Sequence, residues 1–357
     1  MNKKLVVIFL SAAVILLTSG CIIQVNKGGT PAGAANLGGV FMSPDKMETW
    51  QSRSTLLTAG GAAASINNAD VYFLRFDPSD SKAIYAGTRA DGLFYTYNLG
   101  AGWQKATALP AGFVRDLAID SKSKCTLYAA VDQRIYKSAD CGRTWKSVWY
   151  NADPAKVAAA LAVDWYDSSI VYAGIADGTL VKSIDHGASW RVVKKFANRV
   201  NKIMLDPRDS RNVFVGVLNE GLYRSTDQGE NWSNLAEAMK GYANANGFHD
   251  FDLSKSSAGL IVYASKYGML RSLDNGDTWI DVKLLTQPGA ETVYSLAIDP
   301  KNANNIYYGT NAAIYKTADV GANWVVKKTP TTRVPSALLV YPDDTKMIFM
   351  GAKSVQQ

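Results

Sequence analysis

Short apolar runs separated by polar turns recur along most of this chain. Two of the runs form a pair: the first is rich in β-branched and aromatic residues, as in VFVGV at 213–217, and the second follows closely, as in GLYRS at 221–225. A third run lies ahead of the pair and often ends in Asp-Pro, as in LRFDP at 74–78. Runs of this length between Gly, Asp and Pro are typical of strands rather than helices. The pattern therefore predicts an all-β protein.

A polar motif, termed the box, ends each pair of runs. It has a hydroxyl residue, an acid or amide two positions on, Gly two positions after that and Trp three further along. Seven copies start 42 to 53 residues apart; the copy at 96 keeps only an amide, and the copy at 43 lacks the Gly. A repeat of this period predicts one supersecondary unit stacked many times. The acids and amides of the seven boxes are Asp45, Asn98, Asp140, Asp185, Asp227, Asp274 and Asp319, and their tryptophans are Trp50, Trp103, Trp145, Trp190, Trp232, Trp279 and Trp324.

Each unit holds three apolar runs and the strand that carries the box Trp outward, which makes four antiparallel strands, as in a propeller blade. The last inner pair, near 337–352, has no box after it, and the first box, at 43–50, has no inner pair before it. Joining them leaves no open sheet edge. We therefore predict a seven-bladed β-propeller over residues 39–357, closed by pairing of the N- and C-terminal strands.

The box residues are predicted to be structural. Hydroxyl and Asp oxygens accept hydrogen bonds from backbone N–H groups in tight turns. Gly adopts backbone conformations that a side chain resists, and Trp packs over a hairpin. Seven of the nine Trp residues lie in boxes, which argues against a role in ligand stacking.

The N-terminus has the features of an export signal. Residues 1–20 contain Lys3 and Lys4, an apolar run over 5–17 and small residues before Cys21. This run is too short to span a membrane comfortably and is typical of a secretory signal. Cys21 after Ser-Gly resembles a bacterial lipobox, although Thr18 stands where Leu is usual. We predict a signal peptide at 1–20, lipidation of Cys21, a flexible linker over 21–38 and a membrane-anchored protein of the cell envelope; the alternative is a secreted protein with a free Cys21.

The repeated pattern Ser/Thr-x-Asp-x-Gly-x-x-Trp resembles the Asp-box repeat, also called the BNR repeat, over about residues 39 to 352. This repeat occurs in sialidases, in xyloglucan-degrading glycoside hydrolases, in sortilin-type (VPS10-type) receptors and in the photosystem II stability and assembly factor. The resemblance implies a propeller, but the same repeat serves hydrolases and binding proteins alike. One domain of seven blades with a lipid-anchor signal is most similar to the assembly-factor and sortilin-like group.

The charge of the chain argues against nucleic-acid binding. Removal of residues 1–20, which hold two lysines and no acid, lowers the formal net charge from +7 to +5, and there is no basic tract. Part of this positive charge recurs along the chain, because a Lys or Arg directly precedes five of the seven boxes. We expect these side chains to form a solvated basic ring, with contact to anionic lipid or an acidic partner as the alternative; they are Lys137, Lys182, Arg224, Arg271 and Lys316.

Two cysteines fall in one predicted blade. Cys125 opens its second strand and Cys141 lies in its box, so antiparallel pairing brings both to the same end of a hairpin. A disulfide is plausible in an oxidising envelope. Two buried free thiols are the alternative.

A candidate ligand site follows from aligning the inner strands. Propellers bind at the face whose loops enter these strands, opposite the boxes, and residues there vary between repeats while apolar neighbours do not, which is typical of a site grafted onto a scaffold. The first aligned column is Tyr72, Arg115, Ala159, Asn201, His249, Tyr294 and Ser336, and the second is Phe73, Asp116, Ala160, Lys202, Asp250, Ser295 and Ala337. We predict ligand contacts from Arg115, Asp116, Lys202, His249, Asp250 and Tyr294; channel-lining residues bridged by water are the alternative.

Enzymatic chemistry has little support in the sequence. Sialidases carry an Arg-(Ile/Leu)-Pro motif before the first box, whereas the nearest match here, Arg-Val-Pro at 333–335, lies near the C-terminus. Asp116 and Asp250 could form a carboxylate pair, but their blades lie across the ring. The two histidines are isolated, so we expect no metal and no cofactor. The favoured hypothesis is a non-catalytic, monomeric, membrane-tethered binder of protein, peptide or glycan; the alternative is a glycoside hydrolase of the Asp-box type.

Overall fold

The structure, a computed structural model, describes residues 35–58, 60–62 and 64–355. The predicted signal peptide, Cys21 and most of the predicted linker lie outside this part of the chain. Seven sheets of four antiparallel strands form the ring, as predicted from the repeats. Strands are lettered A to D from the central channel outward, and blades are numbered from the first complete one.

The strands of each blade follow the order of the apolar runs. Blade 1 comprises Val71–Asp77, Asp80–Thr88, Leu93–Thr96 and Gln104–Lys105. Blade 2 comprises Val114–Ile119, Leu127–Val131, Arg134–Ser138 and Lys146–Tyr150. Blade 3 comprises Ala158–Val163, Val171–Ile175, Thr179–Ser183 and Arg191–Lys195, and blade 4 comprises Val200–Leu205, Val213–Val217, Gly221–Ser225 and Ser233–Asn234. Blade 5 comprises Phe248–Leu253, Ile261–Ser265, Gly268–Ser272 and Ile280–Val282, and blade 6 comprises Ser295–Ile298, Ile306–Gly309, Ile314–Thr317 and Val325–Lys327.

Blade 7 is shared by the two ends of the chain. Strands Val334–Val340 and Ile348–Lys353 supply A and B, and Gly39–Ser43 and Gln51–Ser52 supply C and D. The closing pair is antiparallel and runs from Gly39 opposite Ala352 to Ser43 opposite Ile348. The predicted closure is therefore confirmed.

Two small elements lie in the longest connections. Thr55–Leu56 pairs with Ala64–Ser65 in a hairpin between blades 7 and 1. A 3₁₀-helix, Leu235–Met239, follows the D strand of blade 4, and its N-cap Asn234 accepts a hydrogen bond from the Ala236 N–H. Both connections end where the A strands begin, on the side of the disc termed the mouth side; the boxes lie on the opposite side, termed the box side.

The core lies between blades rather than within them. Phe73 and Leu93 of blade 1, for example, pack in one cluster with Leu117 and Leu127 of blade 2. Both faces of each central strand are thus covered, which explains why Val213–Val217 is apolar and buried along its whole length.

The box folds into one compact turn. In blade 4, the Ser225 hydroxyl donates to Asp227 Oδ1 at 2.7 Å and accepts from the Gly229 N–H at 2.7 Å. Asp227 also accepts from the Asn231 backbone N–H at 2.8 Å. Gly229 has φ of +89°, a conformation that L residues rarely adopt. The Trp232 indole N–H donates to the Gly229 carbonyl at 2.9 Å and so closes the turn.

Hydrogen bonds inside the box keep its acid ionised. The Ser189 side chain and backbone donate to Asp185 and lower the pKa of Asp185 to about 2. Bonds from within the box lower the pKa of five further acids to about 2, namely Asp45, Asp140, Asp227, Asp274 and Asp319. Asn98 fills this position in blade 1 with the same turn, since it accepts from the Gly102 N–H at 3.0 Å.

The cations that precede the boxes are not a solvated ring, and that expectation is wrong. Each reaches across to the next blade and donates to the backbone carbonyl of the residue before the box Gly, or before Met47 in the worn box of blade 7. Lys182, only 4% exposed, donates to the Gln228 carbonyl at 2.8 Å. The other four bonds are Lys137 to His186 at 2.8 Å, Arg224 to Asn275 at 2.9 Å, Arg271 to Val320 at 3.4 Å and Lys316 to Lys46 at 3.0 Å. The periodic charge therefore links blades.

The two cysteines of blade 2 are bonded to each other in the structure. Cys125 and Cys141 are separated by 16 residues, and their sulfur atoms form a disulfide. The Cys141 N–H also donates to the Cys125 carbonyl at 3.0 Å. Strand B begins at Leu127, so Cys125 lies in the turn before it rather than at its start, and the bond joins this turn to the box of the same blade.

Candidate functional site

The first aligned column marks a break in the pairing of the A strands. In six blades the register between A and B shifts at this column, so that one A residue is left without a partner. A β-bulge of this kind re-aims its side chain. The bulged residues are Tyr72, Arg115, Ala159, Asn201, His249 and Ser336. In blade 6, Tyr294 directly precedes strand A, and its N–H donates to the Gly309 carbonyl at 2.8 Å.

Asp116 joins three neighbouring blades. Its Oδ1 accepts from Arg75 of blade 1 at 2.8 Å and its Oδ2 from the Leu161 N–H of blade 3 at 2.9 Å. Asp116 is buried, whereas about a third of the Arg75 side chain, 35%, remains exposed in the channel. The charge of Asp116 raises the pKa of Arg75. The predicted ligand contact Asp116 is thus engaged by the protein itself.

Asp250 repeats this arrangement on the other side of the ring. Lys202 of blade 4 donates to Asp250 Oδ1 at 2.8 Å and to the Phe251 carbonyl at 2.7 Å. Asp250 Oδ2 accepts from the Leu296 N–H of blade 6 at 3.1 Å. The structure therefore brings Lys202 and Asp250 together, but it places Asp116 in a separate pair.

Two charged residues of this network were missed from the sequence. Arg75 and Asp252 stand two positions beyond the second column, on the same face of their strands, so the period-2 alternation of a strand would have found them. Asp252 Oδ2 accepts from the Ile298 N–H at 2.8 Å. Burial raises the pKa of the Asp252 carboxyl, and the nearby Lys202 opposes the increase.

Cations and aromatic rings alternate at the mouth of the channel. The Lys353 Nζ lies 4.5 Å from the centre of the Tyr72 ring, which meets Phe113 edge to face at 4.6 Å. The Arg115 guanidinium lies 4.0 Å from the centre of the Phe113 ring. Each is a favourable cation–π or edge-to-face contact. Phe113 and Lys353 were also missed, because they lie outside the aligned columns.

Polar atoms at this mouth lack partners among the described residues. Arg115 Nε and His249 Nδ1 are buried and make no hydrogen bond there. Burial, followed by the charge of Arg199, lowers the pKa of Arg115. Burial also lowers the pKa of His249, and Lys266 adds to the effect. The mouth thus carries unpaired donors and mutually repelling cations, and Tyr294 lies half-buried on its blade 6 side.

The described residues contain no group of three His, Cys, Asp or Glu side chains that could hold a metal ion. Within the same ranges, no helix has the length and apolarity that a bilayer crossing needs.

The sequence is similar to segments of known hydrolases. No family model matches the chain. A xyloglucanase, Xgh74A of Acetivibrio thermocellus, is 27% identical over 139 residues, which cover 32% of this chain and 16% of that protein. A xyloglucanase of a Paenibacillus species is 26% identical over 163 residues, 44% of this chain and 13% of that one. The match therefore spans less than a fifth of either relative.

Solved structures with the same fold include both hydrolases and other proteins. The GH74 enzyme of Niastella koreensis superposes with a TM-score of 0.61 at 18% identity, covering 80% of this chain and 51% of the enzyme. YCF48 bound to D1 peptide superposes with a TM-score of 0.60 at 12% identity, covering 80% and 93%. The extracellular domain of BT4673 from B. thetaiotaomicron gives 0.58 at 14% identity, covering 81% and 42%. These likenesses confirm the predicted resemblance at the level of the fold: the chain is a seven-bladed propeller similar to xyloglucanase and photosystem II assembly-factor propellers.

Proposed function

We propose that this protein is a non-catalytic, membrane-tethered propeller that binds a protein, peptide or glycan at the mouth of its channel. One contrast carries the proposal. Both oxygens of the carboxylates that could act in hydrolysis accept hydrogen bonds from protein donors, whereas Arg115 and His249 at the mouth, like Arg224 and Arg271 on the box side, keep buried N–H or ring nitrogen atoms without partners among the described residues. Unpaired buried donors are costly unless a ligand or water engages them.

The carboxylates have little freedom to act on a substrate. A glycosidase needs one carboxyl group as acid and another as base or nucleophile, separated by about 5 to 9.5 Å across an open site. Both oxygens of Asp116 and both of Asp250 already accept hydrogen bonds from backbone N–H groups and from a cation. Such bonds suit the joining of blades better than proton transfer.

The mouth suits a ligand with flat or anionic groups. Tyr72, Phe113 and Tyr294 offer ring faces or edges, and Arg115 offers a guanidinium that can pair with a carboxylate or amide carbonyl. The same fold in YCF48 has been solved with a peptide bound, which supports peptide binding as one form of the proposal. The lipobox-like segment before Cys21 supports attachment to a membrane of the cell envelope.

Capture from envelope extract tests the proposed site. The bait is the full-length protein, compared with an Arg115→Ala/His249→Ala/Tyr294→Ala variant and a box-side control, Lys124→Ala/Tyr166→Ala, with equal melting temperatures required for all three. We expect the mouth variant to lose partners that the control retains, and direct titration of a purified partner to show the same loss. Identical partner lists for all three baits would remove this face from consideration.

The hydrolase alternative is favoured by one observation, the similarity to xyloglucanases at 26–27% identity. Incubation with xyloglucan and with aryl glycosides, including a sialoside, tests it. Turnover that disappears in Asp116→Asn or Asp250→Asn, with folding retained by circular dichroism, would overturn the non-catalytic proposal. We expect no turnover from the wild type.

A further inference from the structure

We infer that the mouth side of the propeller is the side that faces the membrane, where its uncompensated cations contact anionic lipid headgroups. The inference depends on the lipidated Cys21 of the proposed function. It also depends on three features of the described residues: where the chain enters the propeller, how charge is paired on the mouth side, and what surrounds the channel.

The chain enters the propeller on the mouth side and is held there. Thr331 donates to the Ala35 carbonyl at 3.1 Å, and Arg333 Nε donates to Asn36 Oδ1 at 3.1 Å. The Gly38 N–H donates to the Asn67 carbonyl at 2.5 Å, and a Cβ at Gly38 would lie 2.2 Å from the Ala69 carbonyl oxygen. These contacts fix the position of Ala35, where the chain that leads back to Cys21 leaves the propeller.

The length of chain before that point limits the orientation. From Cys21 to Ala35 a fully extended chain reaches at most about 50 Å. Turning the box side to the membrane would require this chain to pass the rim and the thickness of the disc, which is about 20 Å for a six-residue strand. That path would use about 20 Å of the available length for the disc alone, whereas the opposite orientation uses little of it. Attachment on the mouth side therefore favours a mouth that faces the bilayer.

Cations on the mouth side are left without acidic partners. Several acids on this side pair internally: Asp70 with Arg333, Asp177 with Lys195, and Asp250 with Lys202. Five cations around the channel form no ion pair within the described ranges, namely Arg89, Arg115, Arg199, Lys266 and Lys353, and four acids on the same side form none either, namely Asp91, Asp132, Glu220 and Glu291. Cations near an anionic leaflet are attracted with a strength that corresponds to roughly a fivefold gain in partitioning each.

The aromatic residues of the mouth add a second feature suited to a bilayer surface. Tyr72, Phe113 and Tyr294 are half-buried on this side, with Lys353 and Arg115 against the Tyr72 and Phe113 rings. Aromatic rings with a polar group are enriched at the headgroup level of membranes. An anionic bilayer therefore fits the position of the tether, the unpaired charge and the rings together, and it would compete for the mouth with the ligand of the proposed function.

Vesicle binding without the lipid anchor tests the contact. The mature chain with Cys21→Ser is sedimented with phosphatidylglycerol/phosphatidylcholine vesicles and with pure phosphatidylcholine vesicles at low salt. We expect binding to the anionic vesicles alone, and an Arg89→Gln/Arg199→Gln/Lys266→Gln variant should partition on the order of a hundredfold less. The box-side control, Lys124→Gln/Lys146→Gln/Lys255→Gln, removes the same charge and should bind like wild type. Equal loss in both variants, or no preference for anionic vesicles, would overturn the inference.

A second measurement reads the orientation directly. The full-length lipidated protein is reconstituted in vesicles that carry headgroup nitroxides, with a fluorophore on either Ala111→Cys at the mouth side or Ala139→Cys at the box side of the same blade. Both positions are exposed. We expect stronger quenching at position 111; equal quenching, or stronger quenching at 139, contradicts a membrane-facing mouth. Because neither assay contains a protein partner, failure here leaves the capture experiment to decide the proposed function separately.

Discussion

On the box side of the propeller, the same polar groups recur in most blades and bond to the neighbouring blade, whereas on the mouth side the polar groups vary around the ring. Lys137, Lys182 and Lys316 all reach the equivalent carbonyl of the next blade. The bulged positions of the mouth hold instead, for example, Tyr72, Arg115 and His249. The polar groups that recur link the blades of the ring, whereas the polar groups that vary include exposed side chains and side chains without partners among the described residues.

The box side itself contains an instructive exception. The residue before the box is Met42 in blade 7 and Tyr95 in blade 1, so the two junctions that flank blade 1 lack the cation link. Blade 1 is held by other means: Trp103 is fully buried, and its indole N–H donates to the Arg53 carbonyl. Where the box and the residue before it depart from the repeat, a single contact, that of Trp103 with Arg53, links the blades instead.

The largest loss of stability is expected from Trp103→Ala, a change at the box side. Removing a fully buried Trp should lower the free energy of unfolding by about 3–5 kcal/mol, because a cavity replaces the ring between blades 7 and 1. The exposed mouth residue serves as control, since Arg89→Gln should change stability by no more than about 0.5 kcal/mol. Urea unfolding followed by tryptophan fluorescence and circular dichroism measures both. Equal effects of the two changes would contradict the contrast between the faces.

Loss of the disulfide on the box side should have the next largest effect. The bond closes a loop between residues 16 apart, so Cys125→Ser/Cys141→Ser should lower the free energy of unfolding by about 3 kcal/mol in the chain-entropy model. Wild type in reductant should shift to the value of the double variant. A wild-type midpoint that does not respond to reductant would show that the thiols are not bonded in solution.

A smaller effect is expected from one of the recurring links. Lys182→Met removes the donor to the Gln228 carbonyl and should cost about 1–3 kcal/mol, because the carbonyl loses one of its two donors in a buried junction. Lys124→Met, an exposed change on the same side, is the matched control and should stay within about 0.5 kcal/mol of wild type. If the two variants have equal midpoints, the periodic cation is a surface charge after all.

The sequence was sufficient for the ring because each blade repeats local rules. The box spacing and the two incomplete ends predicted seven blades and a shared one, and the Gly39–Ser43 strand pairs as that prediction requires. The position of Lys182 before its box was equally visible. Its partner lies on the next blade, however, and a contact between repeats leaves no local pattern, so the solvated ring was the wrong interpretation.

The geometry of the candidate columns was predictable in outline for the same reason. Alignment of the A strands selected the column that the structure shows as bulged, and it named Lys202 and Asp250, which form a pair. It could not reveal that Arg75 holds Asp116, because that pair joins adjacent blades. Nor could it place Lys353 beside Tyr72, since their approach depends on how the two chain ends close the ring.

The smallest effect on stability per residue is expected from protonation of the box aspartates. The pKa of Asp185 is lowered to about 2 by its hydrogen bonds to Ser189, below the roughly 3.9 of an unfolded Asp. A lowered folded-state pKa contributes stability that is present above about pH 4 and is lost as the pH falls toward about 2. Asp185→Asn should therefore flatten the fall of the urea midpoint in this interval, and Asn98→Asp, which restores an acid to the box of blade 1, should steepen it. Parallel pH profiles for wild type and both variants would mean that the box acids titrate alike in the folded and unfolded chain, and the acid of the box side would then have no more electrostatic role than an exposed carboxylate at the mouth.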